Sequence, residues 1–322
     1  MTYAKIAGTG GYLPERVMHN REFEAFVDTS DEWIRERTGI KRRHIAGENE
    51  TTSDMSVAAA KNAMEQAKVG VGDIDLIVVA TTTPDKVFPS TACIVQRRLG
   101  IHGSPAFDVH AACSGFIFAL DVANRFVRTD GAKCALVIGA ETYSRIIDWK
   151  DRSTCVLFGD GAGAVVLRAS DEPGILSAHS HSDGKYEDLL HVPAGISSGY
   201  ATVRAENAYI KMKGHDVFRR AVSTLGRIAT ETLASNKVSK KDISWLIPHQ
   251  ANMRIIAAAA KKLDLPMERV VVTVDEHANT SSASIPLALD VAVRDGRIRR
   301  GDLLLFEAFG AGFTWGSALV RF

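Results

Sequence analysis

Apolar and polar positions along the chain form segments of two kinds that alternate. Short runs that are apolar at nearly every position, such as residues 74–80 and 134–139, are typical of strands buried on both faces of a sheet. Longer stretches with apolar residues at helical spacing lie between them, for example at residues 52–68, 90–99 and 215–235. The alternation predicts an α/β protein with mostly parallel, buried strands.

The same patterns predict the remaining elements. We expect further strands at residues 5–13, 106–109, 164–167, 243–248, 270–274, 302–306 and 317–321. We expect further helices at residues 20–26, 30–36, 113–129, 253–263 and 281–294. Ser30 is expected to cap the second of these helices, because Asp31 and Glu32 follow it in the first turn.

Features of the first half of the chain return in the second half. An Asp-Ile pair precedes a strand in each half, and Gly-Ala-Gly precedes a strand at residues 161–163 and again before the last strand. A corner of small residues joins a strand to an apolar helix at Cys113 and again at Asn279. A repeat at this length indicates a duplicated domain rather than a short-period solenoid.

The repeat divides the chain into three parts. We predict one half at residues 1–170 and a second half at residues 215–322. Residues 171–214 are rich in Ser, Gly and His, fit neither half, and are predicted to be an insertion. Equivalent corners of two packed halves would meet near their shared interface, which is a usual place for a binding site.

Composition narrows the class of protein. The chain has 322 residues, 46% hydrophobic and 24% charged, which is ordinary for a globular protein with a large core. No apolar run approaches the roughly 20 residues needed to span a bilayer, and the first residues lack the apolar stretch of a signal peptide. The four cysteines, Cys93, Cys113, Cys134 and Cys155, have no metal-ligand spacing. We therefore expect reduced thiols, no metal and a cytoplasmic location, with neither membrane nor nucleic acid as partner.

Charge is distributed unevenly along the chain. Residues 204–262 contain twelve Lys and Arg against four Asp and Glu, a local balance of +8, and the rest of the chain carries −7. A basic face on an otherwise acidic protein indicates an acidic partner or a phosphate-bearing ligand. The alternative is a solvated surface whose acidic neighbours come from other loops.

Cys113 lies where a short apolar strand turns into a buried helix. A thiol at a helix start faces unpaired backbone N–H groups and the positive end of the helix dipole, and both favour the nucleophilic thiolate. The small residues around it would let a substrate approach. The alternative is an inert cysteine in the core.

His249 and Asn279 lie in segments that follow two other predicted strands. His249 ends the predicted strand at 243–248, and Asn279 stands in the second-half equivalent of the Cys113 corner. Strand ends at one edge of a sheet are where α/β proteins bind ligands. Neutral His and Asn both donate hydrogen bonds, so together they could hold the oxygen of a developing enolate. Backbone N–H groups of the Gly-Ala-Gly turn at 310–312 could form a second such site, which suits carbon–carbon bond formation on a thioester.

Four motifs carry a resemblance to a known family. They are Ala-Ala-Cys-Ser-Gly-Phe at 111–116, Phe-Gly-Asp-Gly-Ala-Gly at 158–163, Pro-His-Gln-Ala-Asn at 248–252 and His-Ala-Asn-Thr-Ser-Ser at 277–282. With them, the chain resembles the β-ketoacyl-acyl-carrier-protein synthase III family of condensing enzymes from end to end. The resemblance implies a thiolase-like duplicated fold, a five-layer αβαβα sandwich, and a homodimer. The Cys–His–Asn set distinguishes this family from elongating synthases, which use Cys–His–His.

The resemblance also implies a reaction, the initiating step of type II fatty-acid synthesis. An acyl-CoA primer transfers its acyl group to Cys113. Malonyl-acyl-carrier protein then loses CO2, and its enolate, stabilised by His249 and Asn279, attacks the Cys113 thioester. The products are β-ketoacyl-carrier protein, CoA and CO2, and no cofactor is needed. Backbone N–H groups of Cys113 and Ala311 would hold the thioester oxygen, although the family usually has Gly where Ala311 stands.

Binding residues are implied in the same way. The CoA and substrate contacts would be Thr29, Trp33, Arg37, Phe88, Arg152, Phe218, Asn252 and Phe309. Phe88 would line the acyl pocket across the dimer interface, and Trp33 could stack on adenine beside the two arginines. The chain departs from the family at Ser153, a position near the expected adenine contacts where the family commonly has Gly. The carrier-protein contacts would be Arg219, Gln250, Ala251, Asn252, Met253, Arg254, Lys261 and Lys262, which gives the basic stretch an acidic partner.

Four alternatives remain at this stage. A papain-type Cys–His–Asn protease fits loosely, since His249 follows Cys113 by 136 residues, but duplicated halves are then unexplained. A nondecarboxylating thiolase would require a second cysteine, as a base, at the position of Asn279. A related synthase of a secondary metabolite would use the same triad. A non-enzymatic carrier-binding scaffold would explain the basic stretch but not the triad.

Overall fold

The computed structural model of the chain describes residues 2–203 and 208–322. Its strands are β1 (Tyr3–Tyr12), β2 (Arg16–His19), β3 (Arg42–Ile45), β4 (Leu76–Ala80), β5 (Ala106–Val109), β6 (Cys134–Glu141), β7 (Gly161–Ser170), β8 (Ile175–Ser182), β9 (Leu190–His191), β10 (Lys211–Met212), β11 (Trp245–Pro248), β12 (Leu303–Gly310) and β13 (Thr314–Arg321). The first four residues of the basic stretch, 204–207, lie outside the described residues.

The helices lie mostly where apolar spacing predicts them. They are α1 (Asn20–Phe23), α2 (Asp31–Thr38), α3 (Thr52–Ala67), α4 (Thr91–Leu99), α5 (Gly115–Arg128), α6 (Arg152–Cys155), α7 (Gly214–Ser235), α8 (Met253–Lys262), α9 (Val274–His277) and α10 (Ser284–Arg294). Ser30 caps α2 as predicted, its side chain accepting from the backbone N–H of Trp33 at 3.1 Å.

Two mixed sheets form the centre of the molecule, and they have the same plan. The first sheet has the order β1-β7-β6-β4-β5, in which β4 is parallel to β5 and β6 while β7 is antiparallel to its neighbours. The second sheet has the order β8-β13-β12-β11, with the same sequence of antiparallel and parallel pairs. A single parallel bridge from Leu246 to Val270 stands where β5 would be. This matching order supports the duplication inferred from sequence.

The helices complete a five-layer arrangement. α3 covers one face of the first sheet, and α5 and α10 pack between the two sheets. α7 and α8 cover the far face of the second sheet. The apolar core between the sheets joins residues of β4, β6, α5, α10 and β12, so the corners that begin α5 and α10 lie in the middle of the molecule.

Three features differ from the sequence expectations. The sheets are mixed rather than mostly parallel, because β7 and β13 turn back against their neighbours. The interpretation of 171–214 as an insertion is wrong for Ile175–Ser182, which is an edge strand of the second sheet; its Ser and His residues hide the strand pattern. The strand predicted at 270–274 is reduced to the bridge at Val270, since the chain turns into α9 at Val274.

Candidate active site

Both corners contain backbone with positive φ, which L-residues rarely adopt. Ala112 has φ of 46° and Ser281 has φ of 50°, and each is the first residue of the 3-10 turn that precedes α5 or α10. Ala278, immediately before Asn279, has φ of 59° and ψ of −161°, which lies outside the left-handed helical region. Strained backbone of this kind persists where surrounding structure fixes it, and it concentrates at functional sites. The matched turns support the predicted equivalence of the two corners.

The three side chains of the predicted triad face one cavity. Cys113, His249 and Asn279 all line a cavity of about 420 Å³. They are buried, with 6%, 5% and 6% of their surface exposed. The structure therefore brings together three residues that are separated by 136 and 30 positions in the sequence.

A second cavity, of about 750 Å³, is also lined by this cysteine. Its described lining includes Cys113, Tyr143, Phe158 and Ala311, and most of its other side chains are apolar. Cys113 thus borders two cavities, as an acyl-accepting group would if one cavity admitted a thioester carrier and the other its acyl chain.

A tight turn at the end of β12 lies against the cysteine corner. A Cβ on Gly310 would come within 2.8 Å of the Cys113 backbone nitrogen, so only glycine permits this approach. The Thr314 hydroxyl donates to the Ala111 carbonyl at 2.9 Å, which ties the turn to the corner. The positive φ of the turn, 130°, falls on Gly312, so alanine at 311 needs no left-handed backbone. The backbone N–H groups of Cys113 and Ala311 are therefore on adjoining segments.

Burial dominates the chemistry of the Cys113 thiol. α5 begins at Gly115, and Cys113 lies in the 3-10 turn that precedes it. Burial raises the pKa of Cys113 to about 12, against a lowering contribution from a hydrogen bond with Ser281, while the charge of Glu141 raises it further. The expected resting thiolate is therefore wrong, because desolvation outweighs the helix start. The thiol proton must leave as the sulfur reacts.

His249 is held as a neutral imidazole. Burial lowers its pKa to about 3. Its backbone N–H donates to the Glu307 carbonyl at 2.7 Å, and its Nδ1 lies 2.6 Å from the Ser284 hydroxyl. That hydroxyl also accepts from the Gln250 backbone N–H at 3.3 Å, which favours donation of its own proton to Nδ1. The hydrogen then lies on Nε2, the nitrogen left to donate into the cavity.

The Asn279 amide is oriented by its own corner. Its Oδ1 accepts from the Ser281 backbone N–H at 2.9 Å, and its backbone bonds with Leu157 and Gly159. Because the amide oxygen is used in this way, the NH2 group is the one left to donate. Two uncharged donors, from His249 and Asn279, therefore border one buried space, as an oxyanion site requires.

Comparison with known proteins identifies the family. A family model described as 3-oxoacyl-[acyl-carrier-protein (ACP)] synthase III matches residues 107–184, and its C-terminal counterpart matches residues 233–322. The chain is 68% identical to the β-ketoacyl-[acyl-carrier-protein] synthase III of Thioalkalivibrio sulfidiphilus over the full length of both. The chain belongs to the β-ketoacyl-[acyl-carrier-protein] synthase III family.

Solved structures agree with this assignment. The crystal structure of 3-oxoacyl-[acyl-carrier-protein] synthase III from Aquifex aeolicus has a TM-score of 0.93 and 49% identity, covering 99% of this chain and 100% of that one. The priming β-ketosynthase of the R1128 polyketide pathway has a TM-score of 0.94 and 38% identity, covering 99% and 96%. The predicted thiolase fold and enzyme class, a condensing acyltransferase of fatty-acid biosynthesis, are confirmed. The protease and scaffold alternatives find no support in these relatives.

Only some of the residues expected to contact CoA in a β-ketoacyl synthase III lie around the cavity of the triad. Five of them line the cavity of the triad, namely Trp33, Arg37, Phe218, Asn252 and Phe309. The guanidinium carbons of Arg152 and Arg37 lie 4.9 and 5.8 Å from the Trp33 ring centroid. Thr29 does not line the cavity and has a buried hydroxyl without a partner among the described residues. Phe88 is 83% exposed and lines neither cavity of this chain.

The residues expected to contact a carrier protein divide into exposed and buried groups. Arg219, Arg254, Lys261 and Lys262 are exposed, and Ala251, Asn252 and Met253 are half-buried. The prediction that Gln250 contacts a carrier protein is wrong, because its side chain is fully buried. Its amide group forms hydrogen bonds with the backbone of Pro248, Val271, Thr273 and Val274. Its side chain fixes the loop behind His249 and is not available to a partner.

Sequence reasoning missed several polar residues behind the triad. Ser284 orients His249, and Ser281 lowers the pKa of Cys113 and donates from its hydroxyl group to the buried carboxyl group of Glu141 at 3.2 Å. The signal that could have found the serines is the run of hydroxyl residues that follows Asn279, since such residues are unusual at the start of a buried apolar helix. Nothing local in the sequence marks Glu141.

In residues 2–203 and 208–322 there is no group of His, Cys, Asp and Glu that could hold a metal ion. Over the same ranges, every helix is too short or too polar to cross a membrane.

Proposed function

We propose that the protein catalyses the decarboxylating condensation of an acyl-CoA primer with malonyl-acyl-carrier protein, through an acyl group carried on Cys113. The observation that carries the proposal is the shared cavity of Cys113, His249 and Asn279, with a second cavity that Cys113 also lines. The substrates named for the relatives, an acyl-carrier protein among them, fit this arrangement.

In the first half-reaction, the Cys113 sulfur attacks the thioester carbonyl of acyl-CoA. The new sulfur–carbon bond replaces the bond to the CoA sulfur, and CoA leaves. The negative oxygen that develops on the carbonyl carbon is held by the backbone N–H groups of Cys113 and Ala311. The approach of Gly310 to the cysteine corner supports this placement.

In the second half-reaction, the malonyl group loses CO2 and becomes an enolate. Nε2–H of His249 and the NH2 group of Asn279 donate to the enolate oxygen. The enolate carbon attacks the acyl carbon, the bond to the Cys113 sulfur breaks, and β-ketoacyl-carrier protein is released. Loss of CO2 drives the step, so neither a cofactor nor a strong base is required.

The cavity lining accounts for CoA binding. Trp33, with Arg37 and Arg152 nearby, offers an aromatic face and planar cations to the adenine nucleotide. Phe218 and Phe309 line the same cavity, beside an apolar cluster that includes Ala221, Leu225 and Ile255, and would contact the pantetheine arm.

We propose that the working form is a homodimer. Val87 and Phe88 are 54% and 83% exposed on the loop before α4, and large adjacent apolar side chains in water indicate an interface. Phe88 of one protomer would then close the second cavity of its partner. All four cysteines are free, which fits the reducing cytoplasm.

A second candidate is a priming synthase for a secondary metabolite. It is favoured by one observation, the similarity to the R1128 priming β-ketosynthase at 38% identity. Such a synthase would use the same triad and the same two half-reactions, and it would differ only in its primer and its pathway.

The proposed function is tested by supplying the purified protein with a panel of acyl-CoAs and weighing the intact chain by mass spectrometry. One acyl group should be found on Cys113, and addition of malonyl-acyl-carrier protein should remove it with release of CO2 and β-ketoacyl product. A chain that gains no acyl group from any primer would contradict the proposal. The preferred primer separates the two pathways.

Replacing Arg254 with glutamate should weaken use of the carrier protein. Arg254 is exposed in the first turn of α8 and lies 5.3 Å from the Phe218 ring centroid, so it borders both the cavity and the basic surface. Reversing its charge should raise the KM for malonyl-acyl-carrier protein about 10-fold at low salt, with a smaller effect at high salt. The KM for acyl-CoA should change far less.

The matched control is Arg97→Glu, the same charge reversal on the exposed face of α4. It should leave both KM values near those of the unmodified protein. Equal losses toward acyl-CoA and carrier protein in Arg254→Glu would refute a carrier-docking role for this residue.

A further inference from the structure

The turn that carries the Ala311 backbone N–H is anchored at both of its ends. It joins β12 to β13, and Gly310 at its start lies against the Cys113 corner. Phe313 at its end is buried, with 1% of its surface exposed. The Phe313 backbone N–H donates to the Asp183 carbonyl at 2.9 Å, and the Asp183 N–H donates to the Phe313 carbonyl at 2.8 Å. The second anchor therefore comes from the chain that follows β8.

A stack of aromatic rings supports this second end of the turn. The Phe313 ring centroid lies 4.6 Å from that of Phe309 in β12. It also lies 5.5 Å from the ring centroid of Tyr186, with the two rings stacked at 30°. Tyr186 belongs to the 3-10 segment Gly184–Leu189, directly after Asp183. Phe313 thus contacts one ring from the strand before the turn and one ring from a separate loop.

Two cations lie close to the same tyrosine ring. The guanidinium carbon of Arg220 is 3.8 Å from the Tyr186 ring centroid, and Lys185 Nζ is 4.7 Å from it. Lys185 is exposed and pairs with Asp183 at 2.9 Å. Arg220 is half-buried, and its Nε has no hydrogen-bond partner among the described residues. A guanidinium at this distance is attracted by the face of the ring, so Arg220 links α7 to the aromatic stack.

The stack can act on the reaction only through the turn. Tyr186 and Arg220 line neither of the two cavities, whereas Ala311, two residues before Phe313, lines the second cavity together with Cys113. An oxyanion donor is effective only when its position is fixed before the reaction. A misplacement of about 1 Å in a reacting geometry can cost about 10²-fold in rate. A change in the stack should therefore alter the rate of acyl transfer rather than the binding of CoA.

We propose that Tyr186, held by Arg220, is a positioning residue for acylation. Its ring fixes Phe313, and through Phe313 it fixes the Ala311 N–H that receives the oxygen of the thioester. This proposal rests on the function proposed above. The side chains of Tyr186 and Arg220 do not touch the substrate, and they act on the half-reaction that uses the backbone oxyanion site. The two enolate donors of the triad do not depend on them.

Replacing Tyr186 with alanine should slow acylation without weakening substrate binding. Loss of the ring leaves Phe313 without one of its two aromatic neighbours, so the turn relaxes and the Ala311 N–H moves. At saturating acyl-CoA the rate constant for acylation should fall about 10- to 100-fold. The acyl-CoA concentration that gives half of the maximal rate should change less than about two-fold. Tyr186→Phe keeps the ring and should acylate within about two-fold of the unmodified protein.

Arg220→Ala tests the link from α7 to the stack. Without the guanidinium the Tyr186 ring is held less firmly, and acylation should slow about 5-fold. The matched control is Arg227→Ala, because Arg227 is exposed on the same helix and its guanidinium carbon lies 5.8 Å from the Trp315 ring centroid. Trp315 lies in β13, beyond the turn. The control should acylate like the unmodified protein.

The experiment measures the two half-reactions separately on the whole protein. Acylation by the primer that the unmodified protein accepts best is followed by rapid quenching and mass spectrometry of the intact chain, without carrier protein. Decarboxylation is followed as labelled CO2 from saturating malonyl-acyl-carrier protein without primer, so that docking at α7 does not limit the rate. We expect Tyr186→Ala and Arg220→Ala to slow acylation and to keep decarboxylation.

The ratio of the two half-reactions separates positioning from a general loss of structure. If both half-reactions slow together, or if Arg220→Ala slows acylation no more than Arg227→Ala does, the positioning role is wrong. A Tyr186→Phe variant as slow as Tyr186→Ala would also contradict it, because the ring is then not what matters. Where thermal unfolding shows that Tyr186→Ala does not fold, Arg220→Ala decides. An unmodified protein that accepts no acyl group would instead contradict the function proposed above.

Discussion

A Cys113→Ser variant should form no acyl-enzyme. The serine hydroxyl is a poorer nucleophile than sulfur, and burial, which raises the pKa of the native thiol, also opposes ionisation of a hydroxyl group at this position. Acyl transfer from acyl-CoA should fall by at least about 10⁴-fold. The measurement is the mass of the intact chain after incubation with labelled acyl-CoA.

The same variant should keep part of its malonyl decarboxylation, because His249 and Asn279 remain in place. Cys93→Ser is the matched control, since Cys93 donates to the Ala106 carbonyl at 3.4 Å and serine can do the same. That control should acylate like the unmodified protein. Acyl label trapped on the Cys113→Ser chain would show that another residue is the nucleophile.

Much of the fold follows from local pattern. The strand predicted at 106–109 and the helix predicted at 52–68 follow from their apolar patterns, and the structure has them at Ala106–Val109 and Thr52–Ala67. The structure adds Thr51 as the cap of that helix. β8 was missed because an edge strand with one face open to polar neighbours carries Ser and His at positions where a buried strand carries Val. Its place is set by pairing with β13, which the local sequence does not encode.

The duplication and the family resemblance together made the triad predictable. The resemblance between the Cys113 and Asn279 corners placed two side chains at equivalent points, and a shared cavity is what two packed halves would produce. The backbone has φ of 46° at Ala112 and 50° at Ser281, the first residues of the 3-10 turns before α5 and α10, so the equivalence of the corners extends to geometry that sequence does not show.

What the sequence could not supply is the depth of burial and the contacts that depend on it. The helix start suggested a thiolate at Cys113, but the sulfur is enclosed and burial raises its pKa instead. Gln250 looked available within a surface motif, but four hydrogen bonds hold its amide inside the loop. Glu141 is distant in sequence from the residues it contacts, so only the folded chain reveals its position.

Removing either enolate donor should have the opposite effect to loss of the thiol. His249→Ala and Asn279→Ala should each lower malonyl-carrier-protein decarboxylation by about 10²- to 10³-fold, because each removes one neutral donor from a buried, preorganised pair. Acyl-Cys113 should still form, since the carbonyl oxygen of the primer is held by backbone N–H groups. The measurement is labelled CO2 release, with acyl-enzyme formation followed in parallel by mass spectrometry.

The pH dependence provides an independent check of the same assignment. With the pKa of His249 near 3, the imidazole stays neutral through the range in which an exposed histidine titrates, so decarboxylation should show no inflection near pH 6.5. His277→Gln is the control, because burial and the neighbouring His44 also lower the pKa of His277, to about 4, but it lines neither cavity. It should keep both half-reactions. A decarboxylation rate that follows protonation near pH 6.5, or an Asn279→Ala variant that loses acylation as well, would show that the two donors do not act on the enolate alone.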